Sequence, residues 1–183
     1  MKLAQYPTTA TLKPKKKKSK NWDDTENIYI EGDNLEVLKI LQRSYGGKVK
    51  FIYIDPPYNT GKDFVYKDNF KNSLENYLEQ TKQIDNAGNK LRTNSETNGR
   101  YHTDWLNMIY PRLKLARNLL TDDGVIFISI DDSEQANLKK ITDEIFGESN
   151  FIGSFIVNST PNARDYGHIG KMHEFVLLYS KDY

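Results

Sequence analysis

Apolar positions along the chain follow two rhythms, a three-to-four-residue spacing and short near-continuous runs, set apart by long polar stretches. Leu35-Glu36-Val37-Leu38-Lys39-Ile40-Leu41 has the helical rhythm, with Asp33 or Asn34 as N-cap and Ser44-Tyr45-Gly46-Gly47-Lys48 as its end. Before it, Asn27-Ile28-Tyr29-Ile30-Glu31 reads as a short strand closed by Gly32-Asp33-Asn34, and after it Val49–Ile54 reads as a buried strand. That β–α–β order predicts two parallel strands in one sheet, with Asp33 and Asp55 on the same rim.

The second half repeats the alternation. Asp104–Leu120 is the strongest helical pattern in the chain, capped by Thr103 or Asp104 and kinked or restarted at Pro111. Thr121-Asp122-Asp123-Gly124 ends it, Val125–Ile130 is a buried strand, and Gln135–Phe146 is an amphipathic helix stopped at Gly147. Two further strands follow, Phe151–Val157 and Met172–Tyr179, joined by a polar loop over 159–171 that holds Arg164 and His168. The fold class is therefore α/β, a doubly wound sheet ending in an antiparallel pair.

Two stretches lack either rhythm. Residues 1–25, rich in Lys, Thr and Pro, are expected to form a flexible basic arm, and 26–183 the folded domain. Residues 62–101 carry many Asn, Lys, Gly and Thr, with a short helix expected at Leu74–Ile84. A loop of that length behind a strand end predicts a lid or a substrate-contacting arm.

Charge sharpens this division. The net charge of +1 conceals seven of the 26 Lys and Arg within the first 20 residues, which hold no acid; elsewhere 19 bases face 25 acids, a balance of −6. Lys15, Lys16, Lys17 and Lys18 are thus the candidate contacts to a phosphate backbone, while the folded part carries no basic footprint of its own. The chain has no Cys, which excludes disulfides, thiolate metal sites and cysteine nucleophiles; no metal site is expected. With a mean hydropathy of −0.73, no apolar stretch able to cross a bilayer and no signal-peptide core, a cytoplasmic protein without membrane contact is expected.

Candidate chemistry concentrates where the strand Val49–Ile54 stops. Asp55-Pro56-Pro57-Tyr58-Asn59-Thr60-Gly61 places a carboxylate, two prolines and an aromatic ring in succession. The prolines hold φ near −65° and donate no N–H, so the segment is a stiff extended loop with unclaimed carbonyls. Loops past strand carboxyl ends are where open α/β sheets bind ligands. A planar ring bearing an exocyclic amine suits this set: it stacks on Tyr58 while Asp55 and a proline carbonyl accept from its N–H groups. The same residues also suit a plain strand-ending turn. No G-x-G-x-x-G or G-x-x-x-x-G-K follows any strand, so a usual nucleotide cradle is missing.

Asp55-Pro56-Pro57-Tyr58 resembles the D-P-P-Y motif of amino-group DNA methyltransferases. Further segments agree in order: Asp55–Gly61, Trp105–Ala116, Gly124–Asp132, Glu144–Gly147 and His173–Lys181. Together they are similar to the modification (Mod) subunit of type III restriction–modification systems. The resemblance implies a Rossmann-like, S-adenosylmethionine-dependent sheet, circularly permuted, of which this chain is a truncated N-terminal part. The target-recognition region and F-x-G-x-G cofactor loop are expected beyond Tyr183.

It also implies methyl transfer to adenine N6 of a base flipped from double-stranded DNA, with Asp55, Pro56, Pro57 and Tyr58 as catalytic residues. By the same resemblance Asp33 meets the cofactor, and Asn59, His173 and Phe175 line the base pocket. A second copy and a restriction subunit are the implied protein partners. Cytosine-N4 methylation, an inactive truncated module, a protein or RNA methyltransferase and a nuclease using Asp33, Asp55 and Asp131 are the alternatives. The last leaves the double proline unexplained.

Overall fold

The computed structural model describes residues 2–61, 100–159 and 172–183. Helix α1 spans Asn34–Tyr45 and leads into strand β1 (Val49–Ile54). Helix α2 (Tyr101–Leu119) runs straight into β2 (Leu120–Ile130), and α3 (Gln135–Phe146) precedes β3 (Phe151–Asn158) and β4 (His173–Ser180). The strands form one open sheet in the order β1-β2-β4-β3, with β1 parallel to β2 and the β2/β4 and β3/β4 pairs antiparallel. This is the expected α/β architecture with its antiparallel end.

The core lies between the helices and one sheet face. Trp105, Met108 and Leu113 of α2 and Leu138 and Phe146 of α3 pack on Ile126, Ile128, Ile130, Leu177 and Tyr179. The three β2 isoleucines alternate and are fully buried, because a strand presents every second side chain to one face. The opposite face is open. Phe51 and Tyr53 are 55% exposed and Phe155 53% exposed, although Phe51 and Phe155 each lie against the Phe127 ring. Strand β1 is therefore half-buried, a correction to the buried strand its apolar run predicts.

Three other expectations change. Asn27–Glu31 is not a strand: Ile28 and Tyr29 are 64% and 89% exposed, and the segment pairs with no neighbour among the described residues. Strand propensity is realised only against a partner strand, so the Ile-Tyr-Ile pattern alone did not suffice. Asp33 consequently follows no strand; it caps α1, its Oδ1 accepting from Glu36 N–H at 3.0 Å. Helix α2 starts one turn earlier than its polar N-cap candidates suggest, because Tyr101 joins Trp105 and Met108 on the buried face, and it continues through Pro111. Strand β2 begins at Leu120, with an irregularity in its pairing to β1 between Val49 and Phe51 that accommodates Thr121–Gly124.

Gly147 ends α3 as expected, at φ +96, a backbone state that favours glycine. The basic arm holds 3-10 turns at Lys2–Gln5 and Lys16–Lys18; the first packs on α2, and Lys15, Lys16, Lys17 and Lys18 are exposed. Most of the expected lid (62–99), the helix at Leu74–Ile84, Arg164 and His168 lie outside the described residues.

Candidate active site

Because β1 and β2 are parallel and β4 runs antiparallel to β2, three chain segments meet on one rim. They are the loop after Ile54, the Asp131–Ser133 turn after Ile130, and the start of β4 at His173–Phe175. Phe175 is the register partner of Ile130, which places His173 and Glu174 beyond the end of β2.

Asp55 is exposed at the loop's start, with Pro56, Pro57 and Tyr58 partly buried behind it. Tyr58 packs its ring on the edge of the core and donates its hydroxyl to Glu174 Oε2 at 3.4 Å. Burial first, then the neighbouring Asp55 carboxylate, raises the Tyr58 pKa above its ordinary value. The phenol is thus neutral under working conditions, and Tyr58 offers a ring face and a hydrogen-bonding hydroxyl rather than a base.

The loop is gripped from below. Trp105, fully buried on α2, donates its indole N–H to the Pro57 carbonyl at 2.7 Å. Four residues earlier on the same helix face, the Tyr101 hydroxyl donates to the Asn59 carbonyl. Asn59 sits at φ +62, an uncommon state for a non-glycine residue, and its side chain is fully buried. Its Nδ2 donates to Glu134 Oε1 at 2.5 Å and to the Tyr101 carbonyl at 3.5 Å. Asn59 therefore faces the interior beneath the loop. Among the described residues no donor reaches the Pro56 carbonyl, the one nearest Asp55.

The other expected residues fall on the rim or away from it. His173 and Phe175 have their rings 5.0 Å apart, edge to face, and His173 Nε2 is 3.9 Å from Asp132 Oδ1. Asp131 closes its own turn, accepting from the backbone N–H of Ser133 at 2.8 Å. Among the described residues no three His, Asp or Glu side chains cluster to hold a metal ion, so Asp33, Asp55 and Asp131 form no such group. The Lys15–Lys18 cluster belongs to the arm.

A carboxylate, two proline carbonyls and a ring face stand at a strand's carboxyl end, inside a stretch that matches a known family. The family model N6-N4-Mtase, described as DNA methylase, matches residues 49–183. The chain belongs to this DNA methylase family. The chain is 42% identical over 186 residues to the type III restriction-modification enzyme EcoPI Mod subunit of Escherichia phage P1, covering 98% of this chain and 28% of that protein. It is equally similar, at 42% over 185 residues, to the EcoP15I Mod subunit of Escherichia coli, again with 98% and 28% covered. The type II methyltransferase M.KpnI of Klebsiella pneumoniae is 39% identical over 158 residues, covering 86% of this chain and 33% of that protein. The chain thus spans about three tenths of the length of these curated relatives.

Several residues that shape this loop carry no signal of that role in the sequence. Tyr101, Trp105, His102 and Glu134 hold the loop, and Glu174 meets Tyr58. Trp105 and Glu174 lie in segments that carry the family resemblance, but only the fold shows what their polar atoms touch.

Proposed function

We propose that this chain supplies the amine-binding part of a DNA methyltransferase that modifies adenine N6 within a restriction–modification system. The observation that carries the reading is the Asp55–Tyr58 loop: an exposed carboxylate, a carbonyl no described donor reaches, and a neutral ring, all fixed to the rim by α2. Membership of the DNA methylase family supports it.

The N6 nitrogen of adenine is a weak nucleophile because its lone pair is delocalised into the ring. Asp55 and the Pro56 carbonyl accept its two N–H bonds and so favour a pyramidal nitrogen whose lone pair points away from them. Tyr58 stacks the base once it has left the duplex, and Phe175 or His173 forms the opposite wall. As the new N–C bond forms and the methyl–sulfur bond of the donor breaks to leave a neutral thioether, the nitrogen becomes cationic; Asp55 stabilises that charge and holds the departing proton at its carboxylate oxygen. No covalent enzyme intermediate is needed.

S-adenosylmethionine is the methyl source, supplying a carbon activated by a sulfonium. Asp33, the cap of α1, is the candidate contact to its adenosine part, and no glycine-rich turn follows a strand among the described residues. Their part is to bind and orient the amine. Lys15–Lys18 add contacts to DNA phosphates, and a second copy and a restriction subunit are the protein partners.

The test grafts residues 1–183 in place of the matching segment of the phage P1 relative and measures tritium transfer from labelled S-adenosylmethionine to DNA. Transfer is expected, with N6-methyladenine as the product by mass spectrometry, and Asp55→Ala is expected to remove it. Activity surviving in Asp55→Ala would sink the catalytic assignment, and N4-methylcytosine would sink the choice of base.

A further inference from the structure

Glu134 is a carboxylate with no exposed side-chain surface, placed where a core would ordinarily hold an aliphatic residue. A buried carboxylate is costly unless hydrogen bonds replace its hydration, and Glu134 has three. Oε1 accepts from Asn59 Nδ2 at 2.5 Å and lies 2.6 Å from His102 Nδ1; Oε2 accepts from Asn137 Nδ2 at 2.8 Å. These partners come from three places: the loop after β1, the first turn of α2 and the first turn of α3.

The two oxygens therefore join the loop to both helices that cover the core. Asn59 is the decisive partner, because its uncommon backbone state requires support from outside the loop. Tyr101 holds its carbonyl and Glu134 holds its amide, so backbone and side chain are fixed separately. With the Pro57 carbonyl on Trp105, the residues on both sides of Tyr58 are anchored, which sets the direction of its ring and the reach of Asp55.

We propose that Glu134 is a positioning residue, one that locks the Asp55–Asn59 loop in the conformation that presents Asp55 and Tyr58. The assignment rests on reading that loop as the methyl-transfer centre. Glu134 touches no substrate atom; it acts through Asn59.

The indole N–H resonance of Trp105 reports the lock directly, and the full 183-residue chain is the sample. The chain has two Trp residues, so Trp22→Phe assigns the signal. Glu134→Gln is expected to move the Trp105 resonance upfield by more than its linewidth. Asn59→Gly, which keeps the left-handed backbone and removes only the amide, is expected to do the same. The double variant should move it no further than the larger single change, since both cut one link. Leu35→Ala, a cavity on α1 outside the core cluster that holds Trp105, should lower the unfolding midpoint and leave the resonance in place.

An unmoved resonance in Glu134→Gln overturns the proposal, as does an equal movement in Leu35→Ala, which would show general loosening. If Glu134→Gln does not fold, Asn59→Gly decides by the same criterion. These spectra need neither methyl donor nor DNA, so their outcome is independent of the Asp55 test. In the grafted enzyme, Glu134→Gln is expected to lower kcat on the order of 10²-fold with KM for S-adenosylmethionine unchanged, the signature of a displaced loop. A change confined to KM would overturn the positioning role.

Discussion

In the proposed reaction Tyr58 acts through its ring, and its hydroxyl tunes where that ring lies. The raised pKa keeps the phenol neutral, so no activity limb should arise from its ionisation near neutral pH. Removing the hydroxyl alone, in Tyr58→Phe, forfeits hydrogen bonding worth about 1 kcal/mol, roughly fivefold in kcat/KM. Tyr58→Ala removes the stacking face as well, for a further ~1–3 kcal/mol. Steady-state tritium transfer by the two grafted variants checks the ordering, and equal losses in both would refute the stacking role. The loop itself was legible in the sequence because proline and its neighbour restrict the backbone by residue type alone. Asn59 and Glu134 were not, since their bond spans 75 positions and neither residue signals burial by its chemistry.

At the scale of elements, helix and strand patterns that bury a face are legible in the sequence, and those without a packing partner mislead. Gln135–Phe146 and Val49–Ile54 came out at their predicted bounds, whereas Asn27–Glu31 has strand-like residues and no strand beside it. Tyr101 brought α2 forward by one turn through burial, against the capping preference of Thr103 and Asp104.

The seam between α3 and β4 shows what such packing secures. The Tyr179 ring is fully buried against Phe146 and Phe151, and its hydroxyl donates to Asp143 Oδ1 at 2.7 Å. Burial first, then the Asp143 bond, raises the Tyr179 pKa above its ordinary value of 10.0. The folded state thus keeps this proton where the unfolded chain releases it. Its stabilisation is complete below pH 10.0 and declines as pH climbs from there towards the folded value. Thermal unfolding followed between neutral pH and pH 11 should show a shallower alkaline fall for Tyr179→Phe than for the wild type. Parallel curves would remove Tyr179 from the account.

Across the whole molecule, apolar surface and charge are distributed unevenly. One sheet face carries the helices and the core; the other presents Phe51, Tyr53 and Phe155. The surplus of bases is confined to the first 20 residues, and the remainder is acidic by six charges, 25 acids against 19 bases. DNA held by such a molecule would be gripped by the arm and read elsewhere. Each lysine that neutralises a phosphate steepens the salt dependence of binding by about 0.9 in log–log slope, because a counterion is released. Replacing Lys15, Lys16, Lys17 and Lys18 together by Gln should therefore flatten that slope by roughly 3 to 4 and weaken binding alike for all sequences. Fluorescence anisotropy on a labelled duplex between low and moderate salt measures both quantities with the 183-residue chain. A slope that does not change would mean that the arm's lysines stay in solvent and that phosphate contacts arise elsewhere. A change restricted to one sequence would mean instead that the arm reads bases.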